Sequence, residues 1–144
     1  DHLGDALDMR LPNASPLLEV RRHIEAQAAA LMARHHCVFL GGDHSITLSL
    51  LRAAQARYGN GEPLAVVHFD AHCDTWSDHF GEPSGHGTWT YEAIQEGLIS
   101  PAHTVQIGIR SRANAPRAST WPTRAGRSSR RARCAGWMVR GCNP

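Results

Sequence analysis

The sequence predicts an α/β fold in three layers, with helices on either side of a mostly parallel sheet. Two observations carry this. Segments with apolar residues at helical spacing alternate with short runs rich in β-branched and aromatic residues, in the order α, β, α, β, α, β up to Arg110. Strands separated by helices need crossover connections, which make neighbouring strands parallel. The polar clusters Asp43-His44 and Asp70-Ala71-His72-Cys73-Asp74 directly follow apolar runs. That is the carboxyl end of each strand, where such sheets gather their ligands.

Between Pro16 and His35, residues Leu17, Leu18, Val20, Ile24, Ala28, Leu31 and Met32 recur at helical spacing among Arg21, Arg22, Glu25 and Gln27. Ser15 reads as the N-cap, with Pro16 at the first helical position. Cys37-Val38-Phe39-Leu40, ended by Gly41-Gly42, is short and rich in strand formers, so it reads as a buried strand. Ser45 to Tyr58 follows as a helix with Ile46, Leu48, Leu50, Leu51 and Ala54 inward, stopped by Gly59-Asn60-Gly61. Leu64 to Phe69 is the second strand, His86 to Leu98 a weaker helix, and Thr104 to Ile109 the third strand.

The chain of 144 residues has length for one modest core. Its net charge of +2 conceals an asymmetry: residues 1–110 hold 7 Arg and all 13 acids, a net of −6, while residues 111–144 hold 8 Arg and no acid. Lysine is absent. Beyond Ser111 no Leu, Ile or Phe occurs, so that stretch cannot supply a core layer. It reads as a disordered or frameshifted arginine-rich tail, and 1–110 as a partial α/β domain. Cys37, Cys73, Cys134 and Cys142 form no C-x-x-C pair, which argues against a disulfide framework or a zinc knuckle. No leader and no run of about 18 apolar residues is visible, so the expectation is a cytoplasmic protein without a membrane partner.

Asp70, His72 and Asp74 alternate by two after a strand, which puts all three side chains on one side if the backbone stays extended. Such a trio can converge on a metal, and a neighbouring parallel strand can deliver His44 to the same crevice. Carboxylates mixed with imidazole suit manganese, iron or zinc, and the oxygen-rich set favours manganese. Asp43 alone reads equally well as a turn or cap residue.

The ordered set Gly41-Gly42-Asp43-His44-Ser45, Phe69-Asp70-Ala71-His72-Cys73-Asp74, Gly85-His86-Gly87-Thr88 and Val105-Gln106-Ile107-Gly108-Ile109-Arg110 resembles the ureohydrolase family of arginases and agmatinases. The resemblance covers most of residues 1–110 and implies an incomplete arginase-like fold. It implies two Mn2+ ions, one held by His44 and Asp74 and the other by His72, with Asp70 bridging both and His86 as proton shuttle. Two metals about 3.5 to 4 Å apart share and activate a water for attack, here on a guanidinium carbon, with urea leaving. Trp76 stands where arginases place a polar residue for the substrate's α-carboxylate, and Gly87-Thr88-Trp89-Thr90-Tyr91 also resembles agmatinases. The implied substrate is therefore agmatine, with guanidinobutyrate or a related guanidino acid as the alternative, and the intact form is implied to be a homo-oligomer.

Two departures qualify this. Family members are about twice as long and take further metal ligands from a later D-x-D pair, whereas no acid follows Glu96 here. The resemblance also stops near Ser111, as a reading-frame change would make it, and the start at Asp1 suggests a missing N-terminal segment. A catalytically silent fragment is the competing expectation.

Other residues read more plainly. His68 is taken as alternating away from the ligand side, a core or interface histidine. His35, His36, His79 and His103 are expected in solvent, and Cys73 on the face opposite the ligands. Trp76, Trp89 and Tyr91 either wall a pocket or pack under a loop. Arg124, Arg127, Arg130, Arg131 and Arg133 could pair with phosphates and Trp121 and Trp137 could stack on bases, but a solvated tail without nucleic-acid function is favoured.

Overall fold

The computed structural model describes residues 3–78, 81 and 83–110. The elements are α1 (Leu17–Met32), α2 (Ile46–Tyr58), β1 (Leu64–Phe69), α3 (Trp89–Gln95) and β2 (Ile99–Ile107). His79 and the arginine-rich stretch, with Trp121 and Trp137, lie outside the described residues.

β1 and β2 pair in parallel, with Val66 opposite Thr104, Val67 opposite Val105, His68 opposite Gln106 and Phe69 opposite Ile107. The crossover between them contains α3, as the α/β reading requires. β2 begins at Ile99, earlier than the expected Thr104, because Leu64 already pairs with Ile99. An irregularity between Leu64 and Val66 absorbs the extra residues of β2, where Thr104 donates its hydroxyl to the Ser100 carbonyl at 2.6 Å. α3 is shorter than the expected His86–Leu98 because its N-terminal portion is a turn, in which the Thr88 N–H meets the Gly85 carbonyl at 3.3 Å.

Apolar spacing decides the packing. Leu48 of α2, Trp89 and Ala93 of α3, and Leu98 and Ile99 form one buried cluster, against which Leu51, Leu64, Val66 and Ile94 pack. Leu48 is fully buried, a burial that contributes about 1.5–3 kcal/mol relative to exposure. A second cluster, Ala28, Met32 and Ala53, joins α1 to α2, with Cys37 and Phe39 packed on it. The helical layer therefore lies on the Leu64–Val66 face of the sheet. The opposite face carries Val67 and Phe69, which stand 64% and 74% exposed, so the described residues build two of the three expected layers.

Three expectations are corrected locally. Cys37–Leu40 forms no ladder among the described residues, although Cys37 and Phe39 face the core while Val38 and Leu40 face out. It has the alternation of a strand without a paired neighbour. α1 is preceded by Pro16 as its N-cap residue, without a side-chain cap, rather than by Ser15. Finally, Leu17 and Leu18 are exposed, and the buried stripe runs instead through Arg21, Ile24, Ala28 and Met32. No helix among the described residues is long and apolar enough to cross a membrane.

Candidate metal centre

The loop from Leu40 into α2 brings His44 to the sheet. A Cβ at Gly41 would meet the end of the Ile46 side chain, which would have to move aside. Asp43 Oδ1 accepts the Ser45 N–H at 2.7 Å, which turns the chain into the helix. The Ser45 side chain, followed by this N–H, holds the Asp43 carboxyl below its ordinary range, and His86 adds a smaller charge effect in the same direction.

At the end of β1 the chain does not stay extended. The His72 N–H folds back onto Asp70 Oδ1 at 2.8 Å, a short side-chain turn that ends the alternation. Asp74 then adopts a left-handed backbone with φ of 50°, a conformation that aspartate tolerates better than most residues. The carboxylate of Asp74 returns to the sheet while His72 turns outward, its side chain 69% exposed. β2 closes the turn from the other side: Asp70 N–H donates to the Ile107 carbonyl at 3.1 Å and Arg110 N–H to the Ala71 carbonyl at 2.8 Å. Gly108, with φ of 89°, lies where a Cβ would stand 3.2 Å from the Asp70 carbonyl oxygen.

The result gathers His44, His68, Asp70 and Asp74, whose candidate donor atoms all lie within 4.8 Å of one another. His44 Nδ1 is 3.0 Å from Asp74 Oδ2 and 3.4 Å from Asp70 Oδ2. His68 Nε2 is 3.5 Å from Asp70 Oδ2. His72 stays outside this group but keeps its Nδ1 3.3 Å from the other oxygen, Asp70 Oδ1. Asp70 thus presents one oxygen to the His44 side and one to the His72 side.

His68 differs from its expected position. Residues 68 and 70 share parity along the strand, so His68 shares the face of Asp70, and it is buried there. Trp89 was expected to wall a pocket or pack under a loop, and Gln106 had no expected site role. Trp89 is buried and donates its indole N–H to Asp74 Oδ2 at 2.8 Å, while its ring contacts both His44 and His68. Gln106, also buried, reaches His68 Nδ1 at 3.0 Å. Both lie inside stretches that carry the family resemblance, but only the β1–β2 register brings Gln106 beside His68. Cys73 is buried, and His35, His36 and His103 are exposed. Trp76 is 41% exposed and Tyr91 half-buried, while His86 is exposed in the turn before α3.

Electrostatics fit a cation. Among the described residues no arginine forms an ion pair with Asp70 or Asp74, and the ionisable partners that face them are histidines. Asp74, through its hydrogen bond, raises the His44 pKa above 6.5, with Asp70 and Asp43 adding to it. Burial pushes the Asp70 carboxyl up, but the His72 N–H and the three neighbouring histidines outweigh it and hold it below 3.8. Burial lowers the His68 pKa despite the two carboxylates. Two convergent carboxylates and the deprotonated His44 imidazole are a donor set for a divalent ion of the manganese, iron or zinc type.

A sequence profile of the arginase family matches residues 2–129. The chain belongs to the arginase family. It is 45% identical over 95 residues to an agmatinase of Chromobacterium violaceum, covering 66% of this chain and 27% of the relative. It is 44% identical over 110 residues to an agmatinase of Proteus mirabilis, covering 76% and 31% respectively. Among solved structures, a hypothetical agmatinase from Burkholderia thailandensis superposes with a TM-score of 0.61 at 42% identity, covering 67% of this chain and 30% of the other. The aligned part of the chain thus spans about three-tenths of the length of these relatives. For a member of the arginase family the matched span also passes Ser111, the position where composition changes. The fold is the arginase-like α/β arrangement in part, with one sheet face left uncovered by the described residues.

Proposed function

We propose that this chain contributes one side of the two-metal centre of an agmatinase-like ureohydrolase, which converts agmatine and water to putrescine and urea. The observation that carries the reading is the two-sided presentation of Asp70, with Oδ2 toward His44 and Asp74 and Oδ1 toward His72. That arrangement supports Asp70 as a bridging ligand, His44 and Asp74 as ligands of one ion, and His72 as a ligand of the other. Manganese fits best, because the donors are carboxylates and imidazole without thiolate.

When bound, such ions lower the pKa of a water and hold it for attack on the guanidinium carbon. The protein residues supply the rest. Asp70 and Asp74 provide the negative charge that holds the ions, and Trp89 fixes the Asp74 carboxylate. His86, exposed in its turn, carries the proton to the departing amine as the carbon–nitrogen bond breaks, and the water oxygen ends in urea. The Trp76 N–H bonds the Gly87 carbonyl at 3.2 Å, which ties the segment after Asp74 to the His86 turn. An aromatic side chain at this place suits a substrate without an α-carboxylate, hence agmatine before arginine. The intact enzyme would act in cytoplasmic polyamine biosynthesis as a homo-oligomer.

A second reading has its own observation. No acid follows Glu96, and His72 is largely exposed, so the second ion has no acidic ligand beyond the shared Asp70 in this sequence. A guanidinobutyrase or other amidino hydrolase shares the same centre, whereas a catalytically silent chain would keep at most the His44 side. Urea release from agmatine, guanidinobutyrate and arginine, with Mn2+ added and Asp70→Asn as control, separates these. Weak urea release that favours agmatine, needs Mn2+ and vanishes in Asp70→Asn supports the enzymatic reading. No urea from any amidine, together with no bound metal, defeats it for this chain.

A further inference from the structure

We propose that His68 is a positioning residue rather than a metal ligand: Gln106 locks its proton on Nε2, where the N–H aims the carboxylates of Asp70 and Asp74. The argument begins at Gln106, which is 1% exposed. Its side-chain nitrogen faces the Cys73 carbonyl at 2.7 Å and His68 Nδ1 at 3.0 Å. A carbonyl oxygen only accepts, so the Gln106 atom facing it is the NH2 group, whose orientation the hydrogen-bond network thereby assigns. One N–H goes to Cys73, and the second points at His68 Nδ1. That nitrogen must hold a lone pair, and the proton of the neutral ring is on Nε2.

Nε2 is buried and has no hydrogen-bond partner at normal distance. Its nearest acceptors are Asp70 Oδ2 at 3.5 Å and Asp74 Oδ2 at 3.9 Å. A protonated Nε2 offers no lone pair to a cation, although by distance alone it belongs to the four-residue group. It offers the two carboxylates a donor from the sheet side. Trp89 does the same for Asp74 and meets the His68 ring edge-on, with centroids 4.9 Å apart and planes at 77°. The ring therefore has both its position and its tautomer set by buried neighbours. Carboxylates held in this way keep their free lone pairs on the His44 side. Such outer partners commonly change metal affinity by about 10–100-fold when removed.

The tautomer assignment stands on geometry alone, while its effect on metal rests on the reading of Asp70 and Asp74 as ligands. The experiment separates the two. In the full, metal-free chain labelled with 15N-histidine, long-range 1H–15N correlation at mildly alkaline pH should show His68 protonated at Nε2 and bare at Nδ1. In Gln106→Leu that preference should weaken. A His68 protonated at Nδ1, or at both nitrogens, overturns the assignment whatever the metal does. On addition of Cd2+, a 113Cd–15N coupling should appear at His44 and not at His68, and a coupling at His68 Nε2 would overturn the positioning role. His68→Phe should weaken Mn2+ binding by about 10–100-fold. His68→Gln, which retains an N–H near Nε2, should restore part of it. Equal losses in both variants would count against the role. A chain with the expected tautomer that binds no metal would refute the proposed function and leave the tautomer assignment standing.

Discussion

The indole N–H of Trp89 meets Asp74 Oδ2 at 2.8 Å in a buried contact that joins the start of α3 to the return of the chain after β1. Hydrogen bonds to charged groups contribute about 1.5–3 kcal/mol. Trp89→Leu, which removes the donor and keeps an apolar filling, should lower the stability of the metal-free chain by at least about 2 kcal/mol once the lost ring volume is included. Urea unfolding measures this, and Mn2+ affinity should fall with it. A variant as stable as the parent would show that Asp74 does not depend on the indole.

The Leu48 side chain is fully enclosed by α3 and the sheet. Leu48→Ala should destabilise by about 2–5 kcal/mol, the range for a buried leucine whose surroundings relax only in part. The shift of the urea midpoint at unchanged slope is the observable.

Arg21 is buried on α1 and reaches Ser84 and Glu92, with Nη1 3.6 Å from Glu92 Oε2. Ser84 and Thr88 also donate to Glu92, at 2.6 and 2.5 Å, which holds the turn that carries His86. Two of the guanidinium nitrogens, Nε and Nη2, have no hydrogen-bond partner. Breaking the pair from the acidic side leaves a buried cation uncompensated, so Glu92→Gln should cost about 3–5 kcal/mol. Arg21→Met, of similar length and uncharged, should cost clearly less. Chemical unfolding of the two variants side by side decides it, and the reverse order would contradict the account.

Acid should destabilise the metal-free chain through Asp43 and Asp70. Both carboxyls are held below 3.8 in the folded state, so their contribution is present above 3.8 and lost as pH falls through the folded values. His44 has the opposite sense: its raised pKa stabilises fully below 6.5, and that contribution disappears as pH rises through the folded value. The lowered pKa of His68 opposes it, costing stability as pH drops below 6.5. Urea midpoints across pH should therefore show a clear acid limb, and His44→Gln should make stability rise more steeply with pH near 6.5.

The sheet-forming pattern was legible because apolar spacing at α2 and β1 needs no tertiary information. Cys37–Leu40 was legible in its alternation but not in its pairing, since a strand is defined by a neighbour and none lies beside it among the described residues. In the site, His44, Asp70 and Asp74 stand together with His68. The assumption of an extended backbone failed after Asp70, where the His72 N–H turns onto the carboxylate and carries His72 outward. His68 lies on the face of Asp70, as the two-residue period of β1 requires, and not on the opposite one. The partners of Gln106 and Trp89 were not legible, because strand register and the placement of a short helix decide whom they touch.

The most direct test of the account is Mn2+ binding to the full chain, followed by the loss of the free-ion electron paramagnetic resonance signal, in parallel with Asp70→Asn. The account predicts saturable binding that weakens as acid protonates His44, whose proton lies between Asp70 and Asp74, and that is lost in Asp70→Asn. No saturable binding, or binding indifferent to Asp70→Asn, would contradict it.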